Sequence, residues 1–240
     1  MQHEVVHVWR IGLEHPLLSG AACERVLAAD ELARAARFVL DRDRRQYVVS
    51  RGMLRIVLAR YLGTQPRDLE FVYGARGKPS LGQPRAADWL RFNVAHSGNL
   101  ALFGVSRQRE IGIDLEQVRP LEDAAAIAEQ FFSPGERELL RQAPRRAALE
   151  RFFTYWVRKE AVIKATGDGL SLPLDRFDVS WLSTESPRSV VVEDGSHALH
   201  RLRVVDLQAG AQCSAALAAE GEGWSVEYHD VSELGADARN

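Results

Sequence analysis

Hydrophobic residues open the chain as a loosely alternating run, Val5, Val6, Val8 and Trp9, which predicts a strand. Asp30 then stands where a helix cap is expected, ahead of Leu32, Ala35, Ala36 and Val39. Tyr47, Leu54, Leu58 and Tyr61 recur at helical spacing and stop at Gly63, so a second helix is predicted there. Pro66 to Tyr73 is rich in β-formers and predicts a strand, and Gly74 to Pro84 predicts a loop. Phe92 to Val105 predicts a strand interrupted by a turn at Ser97, Gly98 and Asn99, followed by a strand from Ile111 to Val118.

Ser133, Pro134 and Glu136 form a capping-box start for a helix. Leu149 to Thr166 carries Phe152, Phe153, Trp156 and Ile163 at helical spacing and ends at Gly167. Five late strands are expected, at Phe177 to Leu182, Ser189 to Val192, Leu202 to Leu207, Cys213 to Ala219 and Trp224 to His229.

The order helix, helix, Gly, Pro, strand occurs twice, with Asp68 and Asp175 at matching places 107 positions apart. This predicts a duplicated α+β unit: two similar, pseudo-symmetric halves with an active site at their junction. The halves would run over 1–110 and 111–230, with 231–240 as a tail. Such a chain is expected to be a monomer, because its two halves form internally the cleft that a single unit builds between subunits.

Composition adds exclusions. The formal net charge is −2, which gives no global reason to bind nucleic acid or a membrane surface. No long apolar run and no leader-like N-terminus stands out, and the two cysteines, Cys23 and Cys213, are far apart. A cytoplasmic protein without a disulfide framework is expected. The 31 basic residues include only three lysines, Lys78, Lys159 and Lys164, at which an ammonium rather than a guanidinium is used.

Candidate chemistry lies in three places. In Gly112-Ile113-Asp114-Leu115-Glu116, two carboxylates two residues apart on a strand point to the same side, a geometry for a hard cation as well as for a solvated edge. Ile111, Ile113 and Leu115 imply that the opposite side is buried, leaving the carboxylates toward solvent or a cleft. In Trp156-Val157-Arg158-Lys159-Glu160-Ala161-Val162-Ile163-Lys164, residues Trp156, Glu160 and Lys164 share a helix face, and Glu160 can join the first two carboxylates. Basic groups for a phosphate come from Arg51, Lys78 and His96, and the stretch from Asp30 to Arg60 holds eight Arg against four acids.

Gly77-Lys78-Pro79, FNVAHSG at 92–98, GIDLE at 112–116 and WVRKEAVIK at 156–164, in this order and spacing, resemble the surfactin-synthetase-activating type of 4′-phosphopantetheinyl transferase. Gly167-Asp168-Gly169-Leu170-Ser171-Leu172-Pro173 is similar to the loop that follows that family's catalytic helix. The resemblance spans most of the chain. It implies a Mg²⁺-dependent enzyme that moves the phosphopantetheine of coenzyme A to a serine of an acyl, peptidyl or aryl carrier protein, leaving adenosine 3′,5′-bisphosphate. It further implies that Asp114, Glu116 and Glu160 hold Mg²⁺, with Glu160 and Lys164 catalytic. Arg51, Lys78, Pro79, Ala95, His96, Asp114 and Lys164 would contact coenzyme A. Two positions depart from the family: Ala95 where Ser is usual, which removes a hydroxyl contact, and Val157 where a small, often polar residue is usual. The residues alone also fit a different Mg²⁺-dependent phosphotransferase or a non-catalytic binding module.

Overall fold

The computed structural model describes residues 4–16, 18–74, 77–83, 88–167, 172–181, 188–193 and 197–238. The two larger sheets are each four-stranded. The first has the order β10-β1-β5-β4, from β1 (Glu4–Gly12), β4 (Leu90–Ser97), β5 (Leu100–Arg107) and β10 (Trp224–Asp230). The second has the order β6-β9-β8-β7, from β6 (Ile111–Gln117), β7 (Arg188–Glu193), β8 (Leu199–Asp206) and β9 (Cys213–Glu220). A two-stranded ribbon pairs β2 (Glu70–Tyr73) with β3 (Pro79–Gln83). The connection between β5 and β6 holds position 110, and β10 returns to run parallel to β1.

Helices α1 (Gly20–Arg25), α2 (Ala29–Ala35) and α3 (Asp41–Leu62) belong to the first half, and α4 (Ala124–Phe131), α5 (Pro134–Arg141) and α6 (Arg145–Thr166) to the second. Each half has its own apolar core. Met53, Leu54, Val57 and Leu58 of α3 meet Trp9, Ile11, Phe92 and Phe103 of the first sheet. Phe152, Phe153, Val162 and Ile163 of α6 meet Val190, Leu202 and Val204 of the second. A third cluster, including Val6, Val8, Leu102, Ile111, Ile113, Leu115 and Leu217, joins the inner faces of the two sheets. This is an α+β molecule of two sheet-containing halves. Among the described residues no helix is long and apolar enough to cross a membrane.

Both long helices end on a left-handed glycine, Gly63 at φ 63° and Gly167 at φ 79°, as a C-terminal cap requires. The expected cap at Asp30 is corrected: Asp30 lies inside the first turn of α2, and the Glu31 carboxylate accepts from Ala28 N at 2.9 Å. The predicted strand at Pro66 begins instead with a 3₁₀ turn at Pro66–Asp68. The predicted loop at 74–84 contains β3, which the sequence pattern missed because Gly and Pro interrupt it. No strand forms over 178–181, where Arg158 takes the carbonyls of Val179 and Trp181 at 2.6 and 2.8 Å. A side chain has replaced a neighbouring strand as hydrogen-bond partner.

Candidate active site

Strand β6 is buried on both sides from Ile111 to Leu115, so of the solvent or cleft expected to face its carboxylates, open solvent does not apply to Asp114. Ile111, Ile113 and Leu115 enter the core between the sheets, while Gly112, Asp114 and Glu116 turn toward α6. Gly112 makes this possible. A Cβ there would overlap the Ala161 carbonyl oxygen and the Ala165 amide nitrogen, so only glycine lets α6 come this close. On the paired strand, Ala218 lies opposite Gly112 and Ala216 opposite Asp114, both small.

That contact brings the acids of β6 against the Glu160–Lys164 face of α6. Lys164 Nζ donates to Asp114 Oδ1 at 2.7 Å and to the Ile113 carbonyl at 3.1 Å. Asp114 is only 6% exposed, and its Oδ2 is buried without a hydrogen-bond partner. Such an atom calls for a cation or a water. Burial pushes the Glu160 carboxyl above its ordinary range; the charges of Asp114 and Glu116 add to this, and Lys164 opposes it. Burial also pushes Glu116 up, with Asp114 adding and the hydrogen bond from Ser97 opposing. Three carboxylates thus share one electrostatic environment with a single lysine. Their oxygens do not all lie within 4.8 Å of one another; among the described residues that spacing is met by His7, Glu227 and His229.

The edge of the first sheet completes the wall. Asn93 Oδ1 accepts from Ile113 N at 3.0 Å, and Ser97 Oγ donates to Glu116 Oε2 at 3.0 Å and accepts from Gln117 N at 3.0 Å. Side chains of β4 therefore satisfy backbone of β6 and hold one carboxylate. Neither residue is a site candidate from the sequence, where Ser97 is read only as part of a turn, although both lie in the FNVAHSG run; a buried Asn opposite a strand edge shows only in three dimensions.

The remaining candidates are placed as follows. Lys78 Nζ donates to the Lys164 carbonyl at 2.8 Å, to Glu110 Oε2 at 3.0 Å and to the Ile111 carbonyl at 3.4 Å, so its ammonium ties the start of β3 to the end of α6. Pro79 opens β3 beside it. Ala95 is buried between the sheets, whereas His96, the next residue on β4, is exposed on the opposite side. Val157 is buried in the core of the second half. Arg51 is paired with Glu31, donates to Tyr73 Oη at 2.6 Å and lies 4.1 Å over the Phe71 ring. Since Glu31 also binds Arg55, two guanidiniums share one carboxylate and a positive charge remains. Residues 168–171 of the expected loop lie outside the described residues.

Comparison with known proteins gives the family. Residues 110–218 match the 4′-phosphopantetheinyl transferase superfamily, and residues 20–107 match the family described as 4′-phosphopantetheinyl transferase, N-terminal. The chain is 41% identical to the 4′-phosphopantetheinyl transferase HetI of Nostoc sp., over 93% of this chain and 91% of that protein. The chain belongs to the 4′-phosphopantetheinyl transferase family. It is also 30% identical to the 4′-phosphopantetheinyl transferase Sfp of Bacillus subtilis, over 79% of this chain and 82% of Sfp. In this family member the two matched regions meet at the β4–β6 edge, where the GIDLE and FNVAHSG runs lie side by side.

Proposed function

We propose that this transferase moves the phosphopantetheine arm of coenzyme A onto a serine hydroxyl of an apo-carrier protein, with Asp114, Glu116 and Glu160 holding Mg²⁺. The observation that carries the reading is the meeting of Gly112 with α6, which gathers three acids and Lys164 at one place. The metal is supported by Asp114 Oδ2, buried and unpartnered beside two further carboxylates. Oxygen-only donors suit a hard cation. When bound, Mg²⁺ supplies positive charge to the diphosphate of coenzyme A.

The chain's own residues do the rest. Glu160 accepts the serine proton, since a neutral hydroxyl is a poor nucleophile. Lys164, one helical turn on, neutralises the phosphate side and donates a proton to the leaving group. Asp114 Oδ1 and the Ile113 carbonyl orient that ammonium before substrate arrives. Arg51 and His96 stand on the first half, where they supply positive or hydrogen-bonding groups to the nucleotide end. Lys78 acts there partly by fixing the end of α6.

Carrier domains that accept the arm are the protein partner. The two cysteines are both free, which suits a reducing cytoplasm. Incubation with coenzyme A, Mg²⁺ and a panel of apo-carrier proteins, followed by intact mass, tests the function. The expected result is a gain of one phosphopantetheine on a carrier serine, abolished by chelation; no gain on any carrier overturns it.

A further inference from the structure

Away from the carboxylates, the first and last strands bring together a second group of ligand-type side chains. β1 and β10 run parallel with His7 opposite Glu227 and Trp9 opposite His229. His7 Nδ1 lies 2.7 Å from His229 Nε2, with the two rings stacked at 4.9 Å between centroids. Glu227 Oε1 lies 3.3 Å from the same His229 nitrogen. Trp9 stacks on His229 at 4.7 Å and Tyr61 meets the His7 ring edge-on, so both imidazoles are held in place.

The proton positions follow from the partners. His229 Nδ1 is 2.6 Å from Glu233 Oε2, and an ionised carboxylate can only accept. In the neutral ring that contact places the His229 proton on Nδ1 and leaves a lone pair on Nε2. The lone pair points at His7 Nδ1 and at the Glu227 carboxylate. His7 Nδ1 either donates a hydrogen to that lone pair or, as its other tautomer, joins it and a Glu227 oxygen as one of three ligand atoms that all lie within 4.8 Å of one another. Glu233 behind His229 repeats the carboxylate–histidine–metal arrangement in which an outer acid fixes the tautomer and orientation of a ligating imidazole.

We propose that His7, His229 and Glu227 form a binding site for a borderline divalent cation of the zinc class, with Glu233 orienting His229. Two imidazole nitrogens and one carboxylate oxygen match a three-ligand zinc set, whereas Mg²⁺ prefers oxygen alone. Two nitrogens bound to one tetrahedral zinc sit about 3.3 Å apart, so the rings open by roughly half an ångström to admit it. A cavity of about 470 Å³ lined by His7, Tyr61, Glu4 and Arg107 reaches one of the three ligands, His7. Because the ligands come from the first and last strands, the ion clamps β10 onto β1 and acts on stability rather than on transfer chemistry.

The test uses the full-length chain freed of metal by chelation. Zn²⁺ titrated calorimetrically in the absence of Mg²⁺ is expected to bind one equivalent, and to raise the thermal midpoint. His7→Ala and His229→Ala each weaken binding by more than tenfold, Glu233→Gln by about tenfold, and Asp114→Ala leaves it unchanged. Co²⁺ added to the unaltered protein gives the intense visible bands of a tetrahedral site, a readout that needs no variant. Absence of Zn²⁺ binding, or binding and Co²⁺ spectra unaffected by both histidine substitutions, overturns the proposal and leaves a hydrogen-bonded histidine pair.

Discussion

The two halves share one buried device and differ in what they build on it. In the second, the capping-box residue Glu136 binds Lys159 at 2.9 Å and accepts from Ser133 N at 2.8 Å, while Lys159 donates to the carbonyls of Leu174 and Phe177 at 2.7 and 2.8 Å. In the first, Glu31 binds Arg55 at 2.6 Å and accepts from Ala28 N, while Arg55 donates to the carbonyls of Pro66 and Leu69, both at 2.9 Å. Each set ties a short helix, a 22-residue helix and the 3₁₀ turn that follows it. The role of Lys159 is thereby structural: it is the counterpart of Arg55. The remaining oxygen of Glu136 accepts from Val179 N at 2.7 Å, whereas that of Glu31 takes Arg51.

The difference lies one residue further along each long helix. Matching Gly63 to Gly167 places Ile56 against Glu160 and Arg60 against Lys164. Ile56 is buried in the apolar core and Arg60 donates to the Glu233 carbonyl of the C-terminal segment. One scaffold thus serves packing in one half and, under the proposed function, chemistry in the other, with two side chains and Gly112 making the difference.

The largest expected effect separates those uses. Asp114→Ala and Glu160→Gln lower the transfer rate by roughly 100-fold or more without lowering the melting temperature, while Arg60→Ala keeps the rate within about twofold. Carrier modification by intact mass, with a thermal melt of each variant, reads both; near-normal turnover in either acid variant would break the division of labour.

Next come the clamps. Lys159→Met leaves Glu136 buried without its cation, and Arg55→Met does the same to one side of Glu31, so each costs about 3–5 kcal/mol in denaturant unfolding. Retained stability in one variant alone would show that the two clamps are alike in geometry but not in energy. Arg51, still paired with Glu31, makes the first half the more tolerant of the two.

Close approach offers a finer contrast. Gly112→Ala pushes α6 away from β6, lowering stability by about 1–3 kcal/mol and transfer with it. Gly52→Ala in α3 crowds Cys23 of α1 and has a similar stability cost, but leaves the rate of the folded fraction near normal. Parallel unfolding and single-turnover measurements distinguish them.

The smallest effect concerns acid. Asp178 is pushed up by burial but held below its ordinary range by hydrogen bonds from Ser133 and Ser180. A carboxyl lowered on folding stabilises above its unfolded value, near 3.8, and that contribution disappears as pH falls through the folded value. Asp178→Asn is therefore slightly less stable than the parent at neutral pH, with the gap closing below about pH 4. The Ala28 cap of the first half carries no side-chain acceptor, so it adds no such slope.

Much of this was legible along the chain. The long helices announced themselves by periodicity and by Gly63 and Gly167, and the Ser133 cap was complete in its four residues. Short elements were not: α1 is too brief to show a period, β3 is interrupted by Gly and Pro, and the segment after Phe177 has strand-like residues but spends its carbonyls on Arg158. Of the site, the acids and Lys164 were visible as motifs, while Asn93 and Ser97 were not, because their partners are backbone and carboxylate groups of another strand.

Local pattern, then, determined the elements, the duplicated order and the identity of the acids on β6 and α6, since spacing along a strand or helix dictates which side chains share a face. Only the tertiary structure decided that β10 pairs with β1, that Lys159 belongs to a clamp and Lys164 to the site, and that both faces of β6 are buried. Those outcomes depend on which surfaces approach across the fold. A missing Cβ at Gly112 matters only once a helix lies against it.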